Sequence, residues 1–325
     1  MGTIEFRKLI KFGSNSHVIS IPRTWLSKNN LNKGDIVYFR ENGNDELILT
    51  PAEAKSKRVD KEIVIDANSK TVEAIRRELT SAYIRGYNII KIVDKNLKDR
   101  AVEIRNELQN LMALEIMEQT QTSITTRDLL NLEEVDLTVL IRRMDTITRT
   151  MMGDLRDSIK DGSDQFASLR YRDQDVNRIL YVIKRLTNIG ISDSNFAASI
   201  KTTPKDLFKS WTVALSLEAI ADEVKRVAEL LKELKVKDKT REFLLKLFID
   251  IEANYLSVMK AYHTKDIPLA FAYSDKRKEL FKTCSDLFVE VNRYSETNLR
   301  VLSVNERFKI IIDLINRVSR SVYDD

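Results

Sequence analysis

From about residue 133 to the end of the chain, apolar residues recur at three- and four-residue spacing over six stretches, about 134–160, 162–190, 204–235, 238–263, 266–292 and 297–323. That is the period of helices that bury one face. Breakers are rare there, with Pro only at Pro204 and Pro268 and Gly only at Gly153, Gly162 and Gly190. Six long helices dividing three plus three are expected over 133–325. The first fifty residues read differently. Short strand patterns at 6–12, 18–21, 36–40 and 47–50 surround Gly13, Pro22 and Gly34-Asp35, with Pro22 opening a short helix to residue 26 and turns at 33–35 and 42–45. Between them, residues 53–132 alternate as β-α-β-α-β-β after a basic connector at 55–58, a small α/β sandwich for which a ferredoxin-like arrangement is one option. The expected fold class is multidomain and mainly α: a β domain over 1–52, an α/β linker or sensor domain over 53–132, and the helical domain.

About fifty residues in thin strands bury too little apolar surface to stand alone, so the first domain is expected to borrow strands from a second copy, making a homodimer. Residues 4–51 present Arg7, Lys8, Lys11 and Gly13 before the first turn, Ile21-Pro22-Arg23 after it, and Gly34-Asp35 before a hairpin. In this order they resemble the swapped-hairpin DNA-binding domain of the SpoVT/AbrB and MazE-like families, in which two chains interleave into a small barrel. The resemblance implies DNA contacts from Arg7, Lys11 and Arg23, with Lys8 and His17 behind them. Cationic side chains on a strand-and-turn face also suit phosphate neutralisation, and Arg can read guanine edges. The other reading of each is an ordinary solvated charge.

Charge adds modestly to this picture. Residues 1–58 hold ten Lys and Arg against six Asp and Glu, most of the formal +5 carried by the 325-residue chain. With 43% hydrophobic and 32% charged residues, and neither an apolar run long enough to span a membrane nor a secretion signal, a cytoplasmic protein with no membrane insertion is expected. The single cysteine, Cys284, is expected to be buried packing. Two histidines, His17 and His263, leave little for zinc or acid–base chemistry. No Gly-rich phosphate loop, nucleophile–base constellation or Glu-x-x-His pair is present, so no enzyme is expected.

The two halves of the helical domain resemble each other. YRDQDVNRIL aligns with YSDKRKELF, placing Asp173 against Asp275, and LSLEAIADEVKRVAELL aligns with KIIIDLINRVSRSVYDD, placing Glu218 against Asp313. The stretches Asp173-Gln174-Asp175-Val176-Asn177 and Glu218-Ala219-Ile220-Ala221-Asp222 resemble the repeat signatures of PhoU, a family of two three-helix repeats that regulates phosphate uptake. That resemblance implies a divalent or ferric metal ion on Asp173, Asp175, Glu218 and Asp222. Judged as residues, Trp211, Leu215, Glu218 and Asp222 fall on one helix line, and two acids at i, i+4 repel. A cation bound by oxygen ligands would compensate them, as would plain salt bridges to Lys225 or Arg226. In the second half Arg317 stands where an acid is expected and could neutralise Asp313 directly. The whole chain thus resembles archaeal-type phosphate-uptake regulators that fuse an AbrB-like to a PhoU-like module. It is expected to be a dimeric transcription regulator that binds DNA and senses phosphate status. The alternative is an adaptor docking on a phosphate transporter or kinase, its first domain serving only to dimerise. An antitoxin-like module would leave the large helical domain superfluous.

Overall fold

Chain contacts divide the computed structural model into two units, Met1–Arg58 and Val59–Asp325, and it describes residues 6–41, 47–51, 60–232, 238–293 and 299–324. In the first unit, β1 (Ile10–Phe12) and β2 (Ser16–Val18) form a hairpin. Gly13 supplies the positive φ of 71° that its turn requires. Pro22 pre-sets φ at −57° for the entry to α1 (Arg23–Lys28). After α1 the chain turns at Asn32–Asp35, where Asp35 Oδ2 accepts from the Asn32 amide at 2.6 Å and Gly34 takes φ 97°. A second antiparallel hairpin joins β3 (Tyr38–Glu41) and β4 (Leu47–Thr50). The first and third strands begin later than their patterns suggest, and β2 is displaced to Ser16–Val18. The two hairpins are separate two-stranded sheets in a single chain, with no closed barrel among the described residues. The turn expected at 42–45 and the connector at 55–58 lie outside those residues.

The second unit begins with an α/β layer: β5 (Glu62–Asp66), α2 (Val72–Ile84), β6 (Ile89–Val93), α3 (Leu97–Gln109), β7 (Leu114–Gln119) and β8 (Ser123–Asp128). Thr71 caps α2 by accepting from the Ala74 amide. The helix buries Ile75, Leu79, Ala82 and Tyr83. The sheet order is β5-β6-β8-β7, with β5 and β6 parallel neighbours and the other pairs antiparallel. This corrects the ferredoxin-like option, whose β-α-β-β-α-β order separates the two helices by a hairpin.

Seven helices follow: α4 (Leu137–Asp161), α5 (Phe166–Ser192), the short α6 (Ser194–Ser199), α7 (Pro204–Leu231), α8 (Asp238–Thr264), α9 (Ile267–Arg293) and α10 (Leu299–Arg320). Asp136 caps α4, and Gly162 ends it in the left-handed conformation, φ 76°. Thr203 caps α7 ahead of Pro204 at its first turn. Helices α4, α5 and α7 pack as one trio and α8, α9 and α10 as another, joined through α7 against α10 and α4 against α8. One apolar core runs through both trios and includes the buried Cys284. At Gly190 on α5 the Leu207 side chain of α7 packs so closely that a Cβ would lie 2.2 Å from its Cδ1.

The α/β layer is built onto the first trio. Its core continues into Val182, Leu186 and Leu207 of α5 and α7. Beside it, Arg185 on α5 pairs with Asp128 on β8 at 2.7 Å, the two side chains 1% and 0% exposed. The Arg185 guanidinium also lies 4.6 Å from the centre of the Tyr83 ring on α2. A pair this deep is costly to create and costlier to break, since removing one partner takes the opposite charge away from a group held out of water.

Candidate functional site

The amino-terminal hairpin has two chemically distinct faces. Residues directly opposite each other on antiparallel strands share a face. The registers Ile10↔Val18 and Phe12↔Ser16 therefore gather Ile10, Phe12 and Val18 on one side, and Lys11↔His17 sets the basic pair on the other. Arg7 and Lys8 lie in the extended segment before β1, and Arg23 is the first residue of α1. All five side chains are exposed. The structure thus brings Lys11 and His17 together as cross-strand neighbours and presents Arg7, Lys8 and Arg23 separately to solvent. Four exposed ammonium or guanidinium groups and a histidine on so short a segment can engage an extended polyanion.

Among the described residues, nothing buries the apolar face. None of residues 6–39 or 47–51 is buried, and Phe6, Leu9, Ile10, Phe12, Ile36 and Phe39 are each at least 56% exposed. Apolar side chains alternating along strands at this density are a surface suited to burial against another.

In the helical domain, Asp173 on α5 and Asp222 on α7 do come together, around a lysine. The Lys225 ammonium donates to Asp173 Oδ2 and Asp222 Oδ1, both at 2.7 Å, and Arg226 holds the other Asp222 oxygen at 2.7 Å. Burial opposes the Lys225 charge, but its hydrogen bonds to Asp173 and Asp222 outweigh it and hold the ammonium above its usual pKa. Glu218 makes no such pair among the described residues. Burial first, then the charges of Asp222 and Asp173, raise its carboxyl above the ordinary value. Asp175 is drawn instead to Arg178, 3.6 Å away along its own helix.

These four carboxylates do not fit a metal centre as placed. Lys225 occupies the position between Asp173 and Asp222 that a cation would need, and no group of three or more metal-binding side chains occurs among the described residues. One oxygen, Asp173 Oδ1, is buried without a hydrogen-bond partner.

In the second trio, Asp313 on α10 accepts from Arg277 on α9 at 2.7 and 2.9 Å. Arg317, expected to neutralise Asp313, lies exposed in the last turn of α10, where a cation complements the helix dipole. Asp275 is exposed and reaches only Lys278, 3.3 Å away on its own helix. Other functional candidates were missed in the sequence: Arg76, Arg77 and Arg170, which line a cleft with Asp173. Their signal was available on α5, where Arg170, Asp173, Gln174, Asn177, Tyr181 and Lys184 repeat at helical spacing along one polar face.

Residues 10–57 match the family model described as antidote-toxin recognition MazE, bacterial antitoxin. The amino-terminal unit is thus a small β domain of the MazE kind, and the match does not extend into the α/β layer or the helices. No curated protein and no solved structure matches the chain. No described helix is long and apolar enough to cross a membrane.

Proposed function

We propose that the protein is a homodimeric, DNA-binding transcription regulator whose second unit senses phosphate status. The observation that carries the first part is the two-faced hairpin, basic with Lys11 and His17 on one side and wholly uncovered apolar on the other, inside a segment that matches the MazE family. A second copy supplies the missing cover, and pairing two copies sets two basic faces side by side for a duplex. The sensing part is supported by the three-plus-three arrangement of α4, α5, α7 and α8, α9, α10, which agrees with a PhoU-like architecture. A ligand acts on DNA affinity only to the extent that it binds one arrangement of the dimer better than another.

The test is binding of the full chain to its own upstream DNA, and to promoters of phosphate-transport genes, across a salt series. Arg7→Ala, Lys11→Ala and Arg23→Ala each remove about one phosphate contact, so the salt slope falls by about one unit per variant. Absence of selective DNA binding by a properly dimeric protein contradicts the proposal and favours a partner-docking adaptor. The likeness to an antitoxin family favours one further reading, recognition of a toxin through residues 10–57. Capture of a toxin by the wild type, kept by Lys11→Ala and lost on deletion of residues 10–57, would favour that reading.

A further inference from the structure

The polar face of α5 looks across a cleft of about 940 Å3 toward α2 of the α/β layer, with α7 at its side. Six cations converge on it: Arg76, Arg77 and Arg85 from α2 and its end, Arg170 and Lys184 from α5, and Lys225 from α7. Two carboxylates share the lining, Asp173 and Glu229, leaving a net charge of +4. Asp173 is already compensated by Lys225. Lys184 leans over the Trp211 ring at 5.1 Å and Arg85 over Tyr87 at 5.3 Å. Arg76, Arg77 and Arg170 make no ion pair among the described residues, although they face one another's helices across a concavity. Like charges gathered this way repel, and among the described residues no salt bridge to Arg76, Arg77 or Arg170 relieves them.

We propose that this cleft binds a small molecule carrying two or more linked phosphates. Guanidinium forks match phosphate oxygens two at a time, and groups set on two rigid helices can hold adjacent phosphates without ordering a loop. The cleft is of the size that encloses a whole organic ligand, several times what orthophosphate fills. Tyr181 and Phe166 in the lining supply rings, and Asn110, Gln174 and Asn177 supply neutral hydrogen-bonding groups, for the rest of such a molecule. The cations converge on a concavity instead of running along an open face, which sets the site apart from a surface that tracks a nucleic-acid backbone. The ligand class stands on the cleft alone; its meaning for regulation rests on the phosphate-sensing reading above.

Isothermal titration of the full chain with tripolyphosphate, ATP, AMP and orthophosphate tests it. Tripolyphosphate or ATP binds at least about tenfold more tightly than AMP and orthophosphate, as each added charge-assisted contact warrants. Equal binding of tripolyphosphate and ATP assigns recognition to the phosphate chain, and binding of ATP alone assigns a nucleotide. Arg77→Ala and Arg170→Glu, at exposed positions without ion pairs among the described residues, each weaken binding about tenfold while thermal melting shows the fold retained. Lys282→Ala, on α9 away from the cleft, leaves it unchanged. No binding of either polyphosphate, or binding indifferent to Arg77→Ala and Arg170→Glu, overturns the proposal. So does displacement of tripolyphosphate by a short DNA duplex with the same sensitivity to both variants, which would make the cleft a nucleic-acid surface. Tripolyphosphate binding that leaves DNA affinity unaltered supports the site and removes its regulatory meaning.

Discussion

The two units of this chain solve the problem of burying apolar surface in opposite ways. Over residues 6–41 and 47–51 every large apolar side chain keeps contact with solvent, whereas the second unit runs one core from α4 to α10 and another from the sheet into α5 and α7. A hairpin of three-residue strands has too little area to cover itself, so its order depends on what it meets. Helices of 22 to 28 residues cover one another within a single chain. On the proposed reading, the amino-terminal end meets a second copy and DNA, and the remainder is the body on which a ligand acts.

The comparison is broken most severely at Arg185. Arg185→Met removes the guanidinium that pairs with the buried Asp128 carboxylate, and the second unit should lose about 3–5 kcal/mol, read as a shift in denaturant midpoint. Adding Asp128→Leu to that variant should return much of the loss. That second-unit transition should be independent of protein concentration, while melting of the amino-terminal unit should shift upward with it.

Next in size is the contrast between the trios. Lys225→Met deprives a buried Asp173 and a half-buried Asp222 of their common partner and should cost about 1–3 kcal/mol. Arg277→Met removes a pair open to water on both sides and should cost about 0–1 kcal/mol. Equal losses in chemical denaturation would mean that the first trio is not specialised in the way its buried acid implies.

The smallest effect belongs to Glu218. Its carboxyl binds a proton more tightly in the folded protein than in the unfolded chain, so its stabilising contribution is present below the ordinary carboxylate range. That contribution is lost as pH rises through the raised value. Glu218→Gln should therefore be the more stable protein at neutral pH, by a few tenths of a kcal/mol, with the advantage vanishing in acid. An advantage that instead grows in acid would reverse the assignment.

Much of this body could be read from the chain. The long helices fall within a few residues of their periodic stretches because 25 or more residues of one-sided pattern, closed by Asp136, Gly162 and Thr203, leave few alternatives. The short helix Ser194–Ser199 escaped, since six residues carry no period. Strand ends at the amino terminus were overextended because residues 6–9 carry a strand pattern yet pair with no strand among the described residues. The acid cluster was legible as residues but not as a site: whether Lys225 or a metal sits between Asp173 and Asp222 depends on the rotation of α5 against α7. Arg277, which holds Asp313, lies 36 positions away on another helix, and only packing selects it over Arg317. The cleft was invisible for the same reason, because the arginines of α2 and the polar face of α5 each look like solvated helix surface until they are opposed.

The central claim is that a second copy completes the amino-terminal unit and so creates the DNA-binding face. Sedimentation equilibrium on the full chain beside Phe12→Asp tests this most directly, because Phe12 lies on the uncovered face opposite Lys11 and His17 and far from the second unit's core in sequence. The account predicts twice the 37.6 kDa chain mass for the wild type and a single chain mass for the variant. A wild type that stays monomeric at every concentration, or a variant that remains fully dimeric, would contradict it.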